Sequence, residues 1–213
     1  MSTQFIYLHG FASSPHSAKA RYLLDRFSQA QIALQIPDLN AGDFSHLTIT
    51  RQLAQISSVF VDNSTPVTLI GSSLGGLTAA HLGQKHSQVQ RLVLLAPAFG
   101  FLSHWLPKLG LETLKQWKQE KYLMVHHYGE GRALPFCYDF VPDAKNYKEE
   151  VLQTPIPTLI LHGKHDEVIP IQASRDFAIQ RPWVELVELD SDHSLSNVLV
   201  EIWQAIRVFC HLP

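Results

Sequence analysis

Short apolar runs alternate along this chain with longer amphipathic segments, and this alternation restricts the folds that are open to it. Most of the runs are apolar at nearly every position, which is typical of strands covered on both faces, as in parallel sheets flanked by helices. The runs are 5–8, 32–36, 67–70, 92–95, 157–161 and 184–189. The pattern predicts an α/β fold with an open, mostly parallel, twisted sheet of about six strands and helices on both faces.

One long stretch interrupts this alternation. The length of 213 residues fits a single domain, 1–213, but residues 98–153 separate the fourth run from the fifth, where one helix would suffice. The stretch is rich in aromatic residues, among them Trp105, Trp117 and Tyr128. Long structured insertions between strands often cover an active site, so we predict a helical lid or cap over 98–153. The alternative is a pair of peripheral helices that only completes the fold.

Composition excludes several classes of protein. Hydrophobic residues make up 46% of the chain and charged residues 17%, which excludes a disordered chain and a coiled coil. A net charge of -2 without a basic cluster predicts no nucleic-acid partner. No apolar run approaches the roughly 20 residues of a membrane span, and the first residues lack a signal-peptide pattern. Cys137 and Cys210 are too few for a disulfide framework, so we expect free thiols and a cytoplasmic location.

The segment Gly71-Ser72-Ser73-Leu74-Gly75 lies between the third apolar run and a predicted helix. This is the Gly-x-Ser-x-Gly nucleophile elbow in the strand–turn–helix context that it requires. Glycine is needed on either side because so sharp a turn brings the flanking positions against neighbouring backbone. The context predicts that Ser73 is a nucleophile at the carboxyl end of its strand. The alternative is a small-residue turn that packs a helix on a sheet.

A serine nucleophile needs a base, and in folds with this elbow an acid and then a histidine follow the serine along the chain. Asp166 follows the fifth apolar run, and His193 follows the sixth. We therefore predict that Asp166 is the acid and His193 the base. Glu167 is a rival for the acid, and so is Asp192, although we expect Asp192 to cap a turn or helix.

An oxyanion hole requires two N–H donors close to the serine. One is expected from the residue after the nucleophile, Leu74, and the other from the loop after the first strand. That loop begins His9-Gly10-Phe11, so the Phe11 N–H is the predicted second donor. The alternative for His9-Gly10 is an ordinary turn at the end of a strand.

Together these motifs resemble the α/β-hydrolase superfamily, and most closely the small bacterial esterases of the YqiA-like group. The resemblance is carried by segments 7–11, 13–15, 17–20, 71–76 and 166–168 and by His193. It implies a compact parallel sheet without the first antiparallel strands of larger members. It also implies esterase activity on short acyl esters without a cofactor. The insertion 98–153 is longer than in that group, and the loop at His193 reads Ser-Asp-His in place of a glycine-rich form.

We therefore expect a serine hydrolase that cleaves a small-molecule carboxylic ester through an acyl-enzyme, with no cofactor and no metal. The aromatic insertion favours an apolar acyl group over a peptide. A thioesterase, an acyltransferase or a C–C bond hydrolase would use the same Ser73, His193 and Asp166. A non-catalytic binding module with this fold is an alternative of another class. The sequence leaves the oligomeric state open.

Overall fold

Strands and helices alternate along most of the chain. A computed structural model describes residues 3–213, so the first two residues of the predicted domain 1–213 lie outside the described residues. In chain order the elements are β1 (Gln4–Leu8), α1 (Ala18–Gln29), β2 (Leu34–Gln35), α2 (Ile49–Ser57), β3 (Val67–Ser72), α3 (Leu74–Lys85) and β4 (Val89–Leu95). They continue with α4 (Phe101–Leu109), α5 (Leu111–Glu120), β5 (Tyr122–His127), β6 (Arg132–Cys137), α6 (Phe140–Ala144), β7 (Thr158–Gly163), α7 (Ile171–Ile179), β8 (Val184–Leu189) and α8 (Leu199–Cys210).

Six of these strands form one sheet in the order β2-β1-β3-β4-β7-β8, and every neighbouring pair is parallel. The predicted open parallel sheet is therefore confirmed, and each of the six apolar runs contributes a strand. After β1 the chain moves to one side to form β2, and then returns past β1 to form β3. In open α/β sheets, ligands bind outside the carboxyl ends of the strands at such a reversal of direction. The loops after β1 and β3 meet there.

The sheet is covered on both faces, as its apolar strands require. Side chains alternate along β1, so Tyr7 belongs to one hydrophobic cluster and Leu8 to the other. Phe27 of α1 and Ile206 of α8 share the cluster of Tyr7, whereas Leu77 of α3 shares that of Leu8. The loop after β1 leads into α1 and the loop after β3 leads into α3. Because α1 and α3 cover opposite faces, these two loops leave the carboxyl edge toward opposite faces of the sheet.

The insertion 98–153 contains three helices, α4, α5 and α6, and also the antiparallel hairpin β5–β6. The helices agree with the prediction of a helical insertion, and the hairpin is an addition to it. Trp117 of α5 is 1% exposed, and its indole N–H donates to the Phe136 carbonyl of β6 at 2.8 Å. The helices and the hairpin are therefore packed into one unit through buried aromatic side chains.

Two further observations concern the chain as a whole. Cys137 and Cys210 are both free and buried. In the stretch from residue 3 to residue 213, no helix has both the length and the apolar character needed to cross a bilayer.

Candidate active site

Ser73 lies at the tight turn between β3 and α3 with an unusual backbone conformation. Its φ is 51° and its ψ is -117°, a strained region for a residue with a side chain and one that costs about 1–3 kcal/mol. The neighbouring glycines make the turn possible. A Cβ at Gly71 would lie 2.3 Å from the carbonyl oxygen of Gly75, and one at Gly75 would lie 2.3 Å from that of Leu8. The glycine pattern thus has the steric origin predicted for a nucleophile elbow.

The structure brings Ser73, His193 and Asp166 together at the carboxyl end of the sheet. His193 Nε2 lies 3.1 Å from Ser73 Oγ, and His193 Nδ1 lies 2.7 Å from Asp166 Oδ2. Because the carboxylate can only accept, the imidazole proton belongs on Nδ1, which leaves Nε2 free to accept the serine proton. The arrangement can therefore deprotonate a serine hydroxyl.

Asp166 is enclosed by donors. Its Oδ1 accepts hydrogen bonds from the Val168 and Ile169 N–H groups, each at 2.8 Å. Burial of this carboxyl would raise its pKa, but hydrogen bonds from His162, His193 and Ile169 outweigh burial and hold the pKa well below its usual range. The lowered pKa favours the ionised carboxylate, which is the form that can stabilise an imidazolium.

His162 is a member of this network that sequence reasoning missed. This fully buried side chain of β7 places its Nε2 3.1 Å from Asp166 Oδ2 and 3.0 Å from the Ile169 carbonyl oxygen. Both neighbours are acceptors, so the proton belongs on Nε2, and Nδ1 accepts from the Ser174 hydroxyl at 2.7 Å. His162 and His193 therefore both donate to the same oxygen of Asp166, Oδ2. The only signal in the sequence was the His-Gly pair at the end of the fifth apolar run.

The two rival acids occupy other positions. Asp192 is exposed, and its Oδ1 accepts from the Ser194 N–H at 2.9 Å and from the Ser194 hydroxyl at 2.6 Å. It closes a turn, in line with the expected capping role. Glu167 is exposed, and its backbone carbonyl accepts from Lys108 Nζ at 2.5 Å. Of the three candidates, Asp166 is the one whose carboxylate contacts the His193 ring.

The two predicted oxyanion donors flank Ser73. Leu74 begins α3, and Gly10 lies so close to the elbow that a Cβ on it would be 3.3 Å from Ser73 Cβ. Within residues 3–213, neither the Phe11 N–H nor the Leu74 N–H has a hydrogen-bond acceptor. Backbone N–H groups near a serine that lack acceptors are available to an oxygen that a substrate would bring.

An apolar cavity of about 560 Å³ opens on one side of Ser73. Residues of the insertion form much of its wall together with the loop after β1. Its apolar lining includes Phe11, Phe101, Trp105, Leu109, Leu123 and Phe140. The hairpin is bonded to the same loop, since the Tyr128 N–H donates to the Ala12 carbonyl at 2.8 Å. The insertion therefore adds an apolar compartment next to the serine.

A second, larger cavity of about 1060 Å³ also reaches Ser73 and His193. It is formed by loops of the sheet, by the start of α1 and by the tip of the hairpin. Most of the residues around it have polar side chains, among them Ser13, Ser14, His16, Lys19, Arg21 and Asp192. Burial lowers the pKa of Lys19 to about 8, while Asp166 and Asp192 oppose this shift. Ser73 thus lies where an apolar and a polar compartment meet.

Among residues 3–213, no group of three or more His, Cys, Asp or Glu side chains is arranged to hold a metal ion. Two histidines on and near α3 contact other side chains. His81 of α3 packs edge-on against Tyr147 with ring centroids 5.1 Å apart. His86, just after α3, has its Nε2 2.8 Å from the Ser57 hydroxyl.

Comparison with known proteins supports the fold and the family. A family model described as "Uncharacterised protein family (UPF0227)" matches residues 4–210. Mouse palmitoyl-protein thioesterase ABHD10, mitochondrial, is 27% identical over 166 residues, which are 73% of this chain and 55% of that protein. The chain thus spans about half the length of this curated relative.

Three solved structures have similar folds. A candidate hydrolase from Agrobacterium vitis S4 has a TM-score of 0.85 at 26% identity, with 97% of this chain and 87% of that chain covered. Mouse alpha/beta hydrolase domain-containing protein 10 has a TM-score of 0.81 at 22% identity, with 98% and 89% covered. Est1E from Butyrivibrio proteoclasticus, with ferulic acid bound, has a TM-score of 0.80 at 22% identity, with 99% and 88% covered. The α/β-hydrolase resemblance of the sequence is confirmed.

Proposed function

Because this chain belongs to the UPF0227 family and has the α/β-hydrolase fold, we propose that it is a serine hydrolase that cleaves a carboxylic ester through an acyl-enzyme. The proposal rests on one observation above all, the continuous chain of contacts from Ser73 Oγ through His193 to Asp166. A binding module of the same fold would not need this alignment of nucleophile, base and carboxylate.

The reaction follows from the positions of these groups. Ser73 Oγ attacks the acyl carbonyl carbon while His193 Nε2 takes the serine proton, and Asp166 stabilises the resulting imidazolium. The Phe11 and Leu74 N–H groups donate to the tetrahedral oxyanion. When the intermediate collapses, His193 returns the proton to the leaving alcohol, and the acyl group stays on Ser73. Water then attacks the acyl-enzyme with His193 again as the base, which releases the acid and restores the serine.

The two compartments beside Ser73 indicate which part of the ester lies where. An apolar acyl chain gains about 0.8 kcal/mol for each methylene that it buries, so it belongs in the cavity lined by aromatic side chains. The leaving alcohol then occupies the larger polar cavity, where Ser13, Ser14 and Arg21 offer hydrogen bonds. The preferred substrate on this basis joins an apolar acyl group to a polar alcohol.

A thioester is the second candidate, because the curated mouse relative is a palmitoyl-protein thioesterase. Hydrolysis of an oxygen ester and of a thioester passes through the same type of tetrahedral oxyanion, so Ser73, His193 and Asp166 serve either reaction. Oxygen esters and thioesters of the same acyl chain, compared by kcat/KM, separate the two. A cytoplasmic location stays a prediction, since the same relative is named as mitochondrial.

Labelling with a fluorophosphonate tests the proposal directly. We expect stoichiometric covalent modification of Ser73 and hydrolysis of a series of aryl esters of increasing acyl length. Ser73→Ala should abolish labelling and lower kcat by at least about 10⁴-fold, because the three groups act as a unit. Ser196→Ala, at an exposed serine of the polar cavity, is the matched control and should be labelled as the wild type is. Folded wild-type protein that is neither labelled nor active would favour the binding module.

A further inference from the structure

His9 is a buried side chain beside the site that the reaction steps above do not use. It follows β1, is 1% exposed, and has its Nε2 2.9 Å from the Leu39 nitrogen and its Nδ1 2.9 Å from the Gly10 oxygen. Because a backbone N–H can only donate, Nε2 carries the lone pair and Nδ1 the proton. Asp38 Oδ1 is more distant from Nε2, at 3.4 Å, and accepts from the Asn40 N–H at 3.0 Å. These contacts assign a donating role to Nδ1, which bonds the Gly10 carbonyl.

The Gly10 carbonyl and the Phe11 N–H belong to one planar peptide unit. In a trans unit, the C=O and N–H bonds point in opposite directions, so a donor that fixes the oxygen also fixes the direction of the N–H. Gly10 lies against the elbow, since a Cβ on it would be 4.0 Å from Ser73 Oγ. A hydrogen bond to the carbonyl also polarises the peptide and makes its N–H a stronger donor.

We propose that His9 is a positioning residue that orients the Gly10–Phe11 peptide, so that the Phe11 N–H points at the oxyanion formed on Ser73. The inference rests on the proposed function, because it concerns the intermediate of that reaction. His9 touches neither substrate nor reacting atoms. It acts through the peptide unit, and its second contact, with the Leu39 N–H, holds the ring in the tautomer that this role requires.

Two substitutions separate the two contacts of the ring. His9→Asn places an amide donor near the position of Nδ1 and leaves the Leu39 N–H without an acceptor. His9→Gln reaches the position of Nε2, where its carbonyl can accept from Leu39, and leaves the Gly10 carbonyl without its donor. His211→Gln, at an exposed histidine just after α8, controls for the exchange of histidine for glutamine.

We expect His9→Gln to lower kcat about 100-fold with KM within about threefold of wild type, because an oxyanion donor acts mainly on the transition state. Its affinity for an alkylboronic acid, which forms a tetrahedral adduct with Ser73, should fall by a similar factor. His9→Asn should recover most of that loss of kcat, although its Tm should fall because Leu39 loses a buried acceptor. His211→Gln should match the wild type.

The outcomes distinguish this inference from the proposed function. If His9→Asn and His9→Gln lose kcat equally, and each loss of kcat is proportional to the loss of Tm, His9 only supports the fold. A His9→Gln protein with wild-type kcat and boronate affinity would also overturn the inference, while leaving the serine hydrolase intact. Wild-type protein without fluorophosphonate labelling at Ser73 would overturn the proposed function and the role of His9 with it.

Discussion

The carboxyl edge of the sheet and the insertion 98–153 are built in different ways. At the edge, glycines allow backbone to touch backbone: a Cβ at Gly75 would lie 2.3 Å, and one at Gly163 2.4 Å, from a carbonyl oxygen. In the insertion, added Cβ atoms at Gly110 and Gly131 would meet no atom within 4 Å. Position at the edge is thus set by main-chain packing, whereas the shape of the insertion depends on aromatic side chains. In the proposed hydrolase, the first region would hold the reacting groups and the second would shape the acyl cavity.

The largest expected effect is the loss of kcat when the carboxylate of Asp166, at the edge of the sheet, is replaced. Asp166→Asn preserves the shape of the side chain but can donate to His193 Nδ1, which would favour the wrong tautomer. We expect kcat to fall by about 10⁴-fold, as in the serine protease case from which the magnitude is taken. Steady-state hydrolysis of an aryl ester by the variant and the wild type measures this fall in kcat.

Asp192→Asn is the control, because it makes the same chemical change one residue away from His193. Asp192 is exposed and bonded to Ser194, so its replacement should change kcat less than about threefold. If Asp192→Asn proves the more damaging of the two, the assignment of the acid is wrong.

A pair of glycine substitutions tests the structural contrast. Gly75→Ala should destabilise the protein by at least about 3 kcal/mol, because its Cβ would strike the Leu8 carbonyl and neither main-chain segment can yield. Gly100→Ala in the insertion should cost only about 1 kcal/mol, since its φ of 62° is left-handed but the nearest atom to its Cβ is 3.7 Å away. Denaturant unfolding of the two variants gives both values. Equal losses would remove the distinction between the two regions.

The smallest expected effect is on selectivity. Leu123→Trp enlarges a half-buried side chain in the wall of the apolar cavity, so it should lower kcat/KM about tenfold for octanoyl esters and hardly change it for acetyl esters. Leu24→Trp, at a largely exposed position of α1, serves as the control. A uniform loss for all chain lengths would place the acyl group outside this cavity.

The sequence allowed the sheet, the elbow and the order of Ser73, Asp166 and His193 to be predicted because each depends on local pattern and on the rule that parallel strands end at one edge. It did not reveal the hairpin β5–β6, although Tyr128-Gly129-Glu130-Gly131 between two apolar stretches is a usable turn signal. The prediction of a helical insertion over 98–153 describes α4, α5 and α6 but not this stretch.

The contacts of His9 and His162 could not be predicted from the sequence. Each histidine precedes a glycine at the end of a strand, so the sequence alone does not distinguish their roles. His9 contacts Leu39 and Gly10, whereas His162 contacts Asp166 and Ser174, and these partners follow from tertiary packing. The division of the site into an apolar and a polar cavity was unpredictable for the same reason, since it depends on where the insertion lies against the sheet.

The bond between the Tyr128 N–H and the Ala12 carbonyl has a consequence for how this protein can diversify. It joins the tip of the hairpin to the residue that follows Phe11, so a movement of the hairpin would disturb the loop that carries this proposed oxyanion donor. Because Trp117 joins α5 to β6, an opening motion of the insertion that moved α5 with the hairpin would have to break this bond. A chimera that grafts a foreign insertion onto this sheet should keep its activity only when the graft restores a donor opposite Ala12.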